Sequence, residues 1–528
     1  MPNKNFDKIL ERLFETSIFI FIGIMISKIF SYIYKIIIAR YLGADIYGLY
    51  SLSLVIVLLF ASVSGLGISE GILRYISLYR GKEEKNKINY MFRYSSRILL
   101  ISTLIASLLL FSLSDIISIK IFNNPSLSFF LKVFSFIIPI WTFSGYFMNI
   151  MIAFEKVKQQ TAIEKIVQSF AKLFFLLLFL FIGLKTNAVI FSFFIGVFIF
   201  LISTFLYCKY NISEIFTEYN LKNTEKNKIS RNIFSYSIPI MFFGLVFYIF
   251  YWTDSLMIGY FKSTTEVGIY NAAIPIAFLL SLAPELFITL LFPIINKEYA
   301  NNNINIITNL SKQIGKWILI INIPIFLIMI LFPEQIINIF FGKEYLSAST
   351  PLIFLLIGNF VASLLTISNR LLLMAGKTKT LLADLVFTSM LNFFLNLWLI
   401  PKDKIFNINN SNGLSGAAIS TAISVIIFYL LLMIHAKKST GIIPLRKDFL
   451  KILFITIIPL IILLFIKSLI EINMTYFILL SIFFFCFYIL LIFLMKGFDK
   501  DDILVINSAK NKFKSRFNNI KIFNEINN

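Results

Sequence analysis

Long apolar runs separated by short polar connections dominate the chain. About fourteen runs are long enough to cross a bilayer, because a helical span needs roughly 20 apolar residues. The runs are continuous, whereas the strands of a membrane barrel alternate apolar and polar positions over about ten residues. The pattern therefore predicts an all-α polytopic membrane protein with about fourteen transmembrane helices. The predicted spans cover 16–38, 47–68, 95–113, 129–153, 162–184, 188–208, 233–257, 267–292, 315–333, 350–372, 380–400, 413–434, 450–470 and 475–495.

Basic residues are distributed unevenly over the connections between these runs. The odd-numbered connections carry few of them, such as Arg40, Lys120 and Lys262. The even-numbered connections and the tails carry many, as in the clusters at 80–87 and 222–231. Because positive residues accumulate on the cytoplasmic side of membrane proteins, we predict a multi-pass protein of the cytoplasmic membrane with both termini in the cytoplasm.

The composition agrees with this interpretation. Hydrophobic residues make up 58% of the 528 positions and charged residues 14%, whereas a soluble domain keeps roughly 25% charged residues. The net charge of +21 would suggest a nucleic-acid partner in a soluble protein. Here the basic residues lie between apolar runs, so we expect no nucleic acid. One histidine and two cysteines offer no metal-ligand spacing, and we expect neither a metal nor a cofactor.

The two halves of the chain resemble each other at an offset of about 220 residues. The first run is followed by YLGADIYGLY at 41–50, and the seventh by YFKSTTEVGIY at 260–270. IKIF at 119–122 and INIF at 337–340 keep a similar offset. These pairs predict a duplicated six-helix unit, and parallel repeats of this kind enclose transport sites. The predicted domains are a first six-helix bundle at 1–220, a second at 221–440, two appended transmembrane helices at 441–496 and a basic cytoplasmic tail at 497–528.

Some of the same residues carry a resemblance to a known family. Ala39 to Tyr50, Gly65 to Tyr75, Asp254 to Tyr270 and the stretch GLSGAAIS at 413–420 resemble the polysaccharide and oligosaccharide flippases, which include the O-antigen flippases. This family belongs to the multidrug/oligosaccharidyl-lipid/polysaccharide (MOP) exporter superfamily. The resemblance covers roughly 12–440, and the appended helices fit members with fourteen spans. It implies a MATE-like arrangement of helices.

The resemblance also implies a function. It predicts a flippase, not an enzyme, that exports a lipid-linked oligosaccharide bearing phosphate or pyrophosphate by alternating access for polysaccharide biosynthesis. The expected partners are this substrate, the lipid bilayer and a glycan polymerase or glycosyltransferases. We expect the transporter to be a monomer.

Several basic residues lie inside or at the ends of the apolar runs. A charge near the bilayer centre costs about 2.5–3.5 kcal/mol on insertion scales, so such side chains should face a cavity or a partner. We predict that they line a central cationic cavity and hold the substrate's phosphates, since Arg and Lys are the usual phosphate ligands. Alternatively, they extend to lipid headgroups or form structural pairs. The candidates are Lys28, Lys35, Arg40, Arg74 and Arg370.

Acidic residues in the runs are candidates for coupling transport to an ion gradient. Asp254 lies late in the seventh run and Glu285 in the eighth, and either would bind Na⁺ or a proton. Glu70 is a third candidate, although its spacing from Arg74 also favours an ion pair along one helix. Coupling to an ion is not required, because the membrane potential itself favours export of an anion.

Two alternative functions remain open from the sequence. An ion-coupled multidrug exporter of the same superfamily would need acidic residues in its cavity, whereas basic residues predominate within the runs. A membrane glycosyltransferase or polysaccharide polymerase would need a catalytic cluster, usually in a sizeable loop, and the sequence offers no loop of that kind. It also has no Gly-rich phosphate-binding loop.

Overall fold

The computed structural model describes residues 4–495 and 497, except 302, 406–407, 411, 447 and 470–472. The predicted basic tail lies outside the described residues from 498 onward. The described chain is helical apart from connections and one two-stranded antiparallel ribbon, β1 (Lys404–Ile405) with β2 (Ile408–Asn409). The α-helices are α1 (Lys4–Ser64), α2 (Ile68–Gly81), α3 (Lys85–Ile116), α4 (Ser126–Ser135), α5 (Ile137–Ala153), α6 (Val157–Thr161), α7 (Gln168–Phe181), α8 (Lys185–Asn211), α9 (Asn223–Phe261), α10 (Thr264–Ala277), α11 (Leu282–Ala300), α12 (Ile304–Leu331), α13 (Pro333–Phe340), α14 (Ser349–Met374), α15 (Thr378–Leu399), α16 (Leu414–Thr440), α17 (Asp448–Leu469) and α18 (Met474–Leu494).

The predicted apolar runs fall on these helices, which confirms the all-α polytopic class. Within the described residues, eleven helices are long and apolar enough to cross a membrane, or twelve if α4 and α5, bent by 40°, form one span. The longest of them, α1, contains the first predicted run and most of the second. Gly43 (φ 84°) interrupts its helical backbone between the two runs. Fourteen spans are compatible with this arrangement, but the number stays a prediction.

The eighth predicted run is not one continuous helix. Its residues form α10, a 3₁₀ turn at Phe278–Ser281 and then α11. Pro275 lies within α10, close before the turn, and proline removes a helical hydrogen bond and permits a change of direction. This break places Ser281 and Glu285 beside α1.

A reciprocal contact between α1 and α10 holds the two predicted repeats together. A Cβ atom on Gly48 would lie 1.8 Å from the carbonyl oxygen of Thr264, and one on Gly268 would lie 2.1 Å from that of Ala44. Thr264 and Gly268 follow Ala44 and Gly48 by 220 positions (264 − 44 and 268 − 48). Each helix therefore presents its glycine to the other's backbone at equivalent positions, as two copies of one unit would.

Polar contacts around this crossing repeat the same relation. Asn124 donates from Nδ2 to Thr264 Oγ1 over 2.7 Å, and the amide of Ala44 donates to Glu344 Oε1 over 3.0 Å. Asn124 and Glu344 are again 220 positions apart (344 − 124). The contacts fit an internal duplication, while the domain limits at 220, 440 and 496 stay predictions.

The last two described helices pack on the outside of α12. Ile452, Ile455 and Tyr488 of α17 and α18 share a buried apolar cluster with Leu319 and Ile323 of α12. The hydroxyl of Tyr488 also donates to the carbonyl of residue 320 over 3.1 Å. Helices 17 and 18 therefore extend the second half of the molecule without contributing to the cavity described below.

Candidate functional site

A cavity of about 400 Å³ lies between α1 and helices of the second half of the chain. Its wall on α1 carries Ser27, Lys28, Ser31 and Tyr32. The facing walls come from α9, α10, α11, α14 and α16, and most of their lining side chains are aromatic or bear a hydroxyl, amide or carboxylate group. These are Phe250, Tyr251, Asp254, Tyr270, Phe278, Ser281, Glu285, Asn359, Ser363, Thr366, Thr421 and Tyr429.

Lys28 lies in this wall and is paired across the cavity. Its Nζ is 3.0 Å from Glu285 Oε2 and 3.1 Å from Glu285 Oε1. Ser281 completes the group, with its Oγ 3.4 Å from Lys28 Nζ and 3.3 Å from Glu285 Oε1. The candidate phosphate ligand and a candidate coupling carboxylate therefore bind each other.

Asp254 also lines the cavity and is buried. Its carboxylate accepts hydrogen bonds from the hydroxyls of Tyr270 and Thr421 and from Asn396 Nδ2, the last over 2.8 Å. Asn396 Nδ2 also donates to Asn392 Oδ1 over 3.2 Å. A buried carboxylate needs such donors because its desolvation is costly, so the three helices that supply them are fixed around it.

One oxygen of this cluster has no hydrogen-bond partner. Asn396 Oδ1 is buried and unsatisfied, and most buried polar atoms in proteins are paired. It belongs to the same cluster as the carboxylate of Asp254 and the oxygens of Asn392 and Thr421, and carboxylate, amide and hydroxyl oxygens are the kinds of ligand that hard cations prefer. The sequence reading missed the uncharged members, although Asn392 and Asn396, one turn apart in an apolar helix, were a usable signal.

Lys35 and Arg370 lie near the cavity without lining it. Lys35 borders a smaller crevice beside Pro275 and Phe341, where α1 meets α10 and the end of α13. Arg370 is partly buried on α14, one turn beyond the cavity residue Thr366, and interacts electrostatically with Tyr429 of the cavity wall.

Three other candidates lie elsewhere. Arg40 is exposed, and its guanidinium donates to the carbonyls of residues 338, 339 and 340, where it compensates the C-terminal end of α13. The guanidinium of Arg74 lies 4.2 Å from the ring centroid of Tyr236. Glu70 is exposed, and these two residues of the described chain form no ion pair with each other. The structure therefore does not gather the five predicted cations in one place.

The charge balance of the cavity differs from the expectation. Among the described residues that line it, Lys28 faces two carboxylates, Asp254 and Glu285. A central cavity lined by several basic residues was expected because basic residues predominate in the apolar runs. The helices instead turn most of their basic side chains towards crevices, aromatic rings or backbone carbonyls.

Solved structures with the same arrangement of helices define the class of fold. The lipid II flippase MurJ in an inward closed conformation has a TM-score of 0.71 at 18% identity, over 90% of this chain and 98% of that one. An inward-facing multidrug resistance MATE family transporter of the MOP superfamily has a TM-score of 0.58 at 12% identity, over 81% and 95%. A MOP superfamily transporter from Pyrococcus furiosus has a TM-score of 0.55 at 13% identity, over 82% of this chain and 96% of that one. This is the fold of MOP superfamily membrane transporters.

The family follows from the sequence itself. The model described as "Polysaccharide biosynthesis protein" matches residues 13–298, and the MatE model matches residues 239–398. Because the first match covers more than half of the chain, the protein belongs to the polysaccharide biosynthesis protein family. The recognition made from the motifs is confirmed.

Two curated relatives come from archaea. An uncharacterized membrane protein of Methanocaldococcus jannaschii is 27% identical over 245 residues, 46% of this chain and 46% of the relative. A probable low-salt glycan biosynthesis flippase of Haloferax volcanii is 27% identical over 280 residues, which are 53% of this chain and 54% of the relative. The chain thus spans about half the length of the curated relatives it matches.

Proposed function

We propose that this protein translocates a lipid-linked oligosaccharide, bearing phosphate or pyrophosphate, across the cytoplasmic membrane by alternating access. The observation that carries the proposal is the position of Lys28 in a cavity between the two halves of a polysaccharide-family chain. The names of a glycan biosynthesis flippase and a lipid II flippase among its relatives and structural neighbours support the same cargo class. The cargo would come from glycosyltransferases and pass to a glycan polymerase or transferase, with the transporter acting as a monomer.

Anion binding rests on the chemistry of Lys28 and its surroundings. An ammonium group binds phosphate as a point charge, and a phosphate dianion would not enter an apolar cavity without such a partner. Ser27, Ser31 and Tyr32 add hydroxyl groups along the same face of α1. These groups would bind the remaining phosphate oxygens or the first sugar.

Alternating access would use the contact between α1 and α10 as the closed side. Arg40 and the crossing at Gly48 and Gly268 lie at the ends of helices that the charge distribution assigns to the extracellular side. The cavity lies on the cytoplasmic side of that crossing along α1. Rocking of two parallel repeats about a central site is the general transport mechanism for such architectures, and here it would separate the reciprocal backbone contacts.

The cluster at Asp254 is our candidate for coupling. A carboxylate with Asn392, Asn396 and Thr421 around it offers oxygen ligands for Na⁺, and the carboxylate alone would take a proton. Because Asp254, Tyr270 and Thr421 also line the cavity, an ion there would change the hydrogen bonds of the cavity wall. The cluster would tie α9, α15 and α16 together more tightly when the ion is bound.

Loss of Lys28 and Lys35 on α1 tests the cargo site. Deletion of the gene should cause lipid-linked oligosaccharide to accumulate on the cytoplasmic leaflet, and the wild-type gene should restore export. The double variant Lys28→Gln and Lys35→Gln should insert normally but fail to restore export, because the phosphates lose Lys28, the cation that lines the cavity, and Lys35, which lies near it. The readout is the surface glycan together with the accumulated precursor. Full export by the double variant would refute the cationic site.

Ion coupling predicts a separate phenotype for Asp254→Asn. The amide keeps the shape but not the negative charge, so transport into vesicles should no longer respond to an imposed Na⁺ or proton gradient. Asp403→Asn, in the exposed connection after α15, serves as the control and should respond as the wild type does. A normal gradient response of Asp254→Asn would remove this residue from coupling.

An ion-coupled multidrug exporter is the second candidate. Two carboxylates in the cavity, Asp254 and Glu285, and the MatE match at 239–398 favour it, since a cationic drug needs acidic partners. Deletion should then sensitise cells to cationic dyes without accumulation of lipid-linked sugar. The two deletion phenotypes separate the candidates.

A further inference from the structure

The ion pair between Lys28 and Glu285 crosses from one half of the protein to the other. Lys28 belongs to α1, near the start of the chain, and Glu285 to the first turn of α11. Both carboxylate oxygens lie within hydrogen-bond distance of the ammonium, at 3.0 and 3.1 Å. The carboxylate thus takes the position in which an oxygen pair of a bound phosphate would neutralise Lys28.

This pair is weak enough to be exchanged. The side chains are 24% and 40% exposed in the water-accessible cavity, and exposed ion pairs typically contribute between 0 and about 1 kcal/mol. A phosphate group carries more negative charge than a carboxylate and has more acceptor oxygens. Competition at Lys28 should therefore favour an organic phosphate over Glu285 once the phosphate has entered the cavity.

The released carboxylate would not be left without partners. Ser281 Oγ is 3.3 Å from Glu285 Oε1, and the phenol of Tyr32 lies close enough to Glu285 to interact with it electrostatically. Tyr32 is one turn beyond Lys28 on α1, and both side chains line the cavity. Glu285 would turn towards these hydroxyls and water.

We propose that Glu285 is an internal counter-ion that occupies Lys28 in the empty protein, and that an organic phosphate displaces it and so releases α1 from α11. The proposal rests on the proposed function, because it assumes that the cargo is anionic. It assigns Glu285 a role in admitting the cargo: a ligand without a phosphate would leave the two helices joined. Glu285 then selects the cargo's charge and couples its arrival to the relative motion of the two halves.

Binding to the purified full-length protein tests the competition. The probes are geranyl diphosphate and inorganic pyrophosphate, titrated by calorimetry into wild type, Glu285→Gln, Lys28→Gln and the double variant. Glu285→Gln should bind geranyl diphosphate about tenfold more tightly than wild type, because no carboxylate competes for Lys28. Lys28→Gln should lose most of the affinity, and adding Glu285→Gln to it should restore little.

Tighter binding of geranyl diphosphate alone would indicate that the lipid part contributes to binding. Tighter binding of both probes would indicate a site for phosphate. Either result supports displacement.

Two further variants control for general effects on the protein. Glu285→Asp keeps the charge and should bind geranyl diphosphate no more tightly than wild type. Glu155→Gln removes a carboxylate paired with Arg80 at 3.4 Å, outside the cavity, and should leave the affinity unchanged. The proposal is overturned if Glu285→Gln binds as wild type does or more weakly, or if its gain persists in the absence of Lys28.

A distance measurement tests the release of the helices. Spin labels at Ile22 of α1 and Tyr299 of α11, both exposed, would be read in a background without Cys208 and Cys486. Geranyl diphosphate should shift the wild-type distribution to longer distances, and Glu285→Gln should show that shift without ligand. Identical distributions for both proteins, with and without ligand, would contradict the release.

The two proposals fail in different ways. If deletion of the gene leaves lipid-linked oligosaccharide unaffected while Glu285→Gln still tightens binding, the cargo assignment is wrong and the counter-ion stands. If the deletion phenotype appears but Glu285→Gln gains no affinity, the flippase assignment stands without the counter-ion.

Discussion

Asn410 illustrates how single buried amides organise this protein. Its Nδ2 donates to the carbonyls of Leu399 and Lys402 over 2.8 and 2.6 Å, and its Oδ1 accepts the amide of Gly416 over 2.7 Å. The side chain is completely buried. It thereby joins the end of α15 to the beginning of α16, the two helices that supply Asn396 and Thr421 to the cluster around Asp254.

Removing this amide should destabilise the protein. Asn410→Ala leaves the carbonyl of Lys402 and the amide of Gly416 without this partner, while the carbonyl of Leu399 still accepts from the amide of Lys402 over 3.3 Å. The cost should be at least about 2 kcal/mol, since each buried unsatisfied group costs roughly 1–3 kcal/mol. We expect a melting temperature several degrees lower in detergent. Asn211→Ala, at an exposed helix end, should melt as the wild type does, and equal melting of both variants would contradict the assignment.

At the scale of elements, the crossing of α1 and α10 depends on two glycines. Because their missing Cβ atoms would lie within 2.1 Å of backbone oxygens, no other residue fits without moving a helix. The same glycines begin the triplets GLY at 48–50 and GIY at 268–270, which end the two repeated segments. The sequence repeat therefore marks the helix–helix contact. The motif therefore has a packing role at the crossing of α1 and α10.

Alanine at these glycines should open the crossing. Gly48→Ala or Gly268→Ala should lower the melting temperature, although alanine is usually the better helix former by about 1 kcal/mol. In a background without the native cysteines, Ser51→Cys, 8% exposed, should then react with a membrane-impermeant maleimide. Gly145→Ala, with no atom within 4 Å of its added Cβ, should leave melting and labelling unchanged. The absence of any effect at Gly48 and Gly268 would show that the crossing is not tightly packed.

At the scale of the whole molecule, membrane orientation follows from the charges of the connections. The contacts described around the crossing lie in or next to connections that the distribution of Lys and Arg assigns to the outside. The basic clusters lie at the opposite ends of the same helices. The orientation of the cavity across the membrane is therefore predicted from the sequence alone, because helix packing would be the same if the protein were inserted the other way round.

Labelling of single cysteines in whole cells checks this orientation. Lys343→Cys, in the connection after α13, should react with an impermeant maleimide from outside. Ser439→Cys, at the end of α16, should react only after permeabilisation. Both positions are exposed, so accessibility within the protein does not limit the reaction. The reverse pattern would invert the topology and, with it, the direction of transport.

The sequence by itself determined the helices and the family, and it predicts the repeat and the orientation, because apolar run length, charge asymmetry and short motifs are local properties. The pairing of side chains was decided by the tertiary structure. Lys28 meets Glu285, 257 residues away, and Asp254 meets Asn396, 142 residues away. Arg40, predicted to face the cavity, instead binds backbone carbonyls at the end of α13. The partner of a charged residue in an apolar helix depends on how that helix is rotated and crossed against its neighbours, and a single sequence does not encode that rotation in any local pattern.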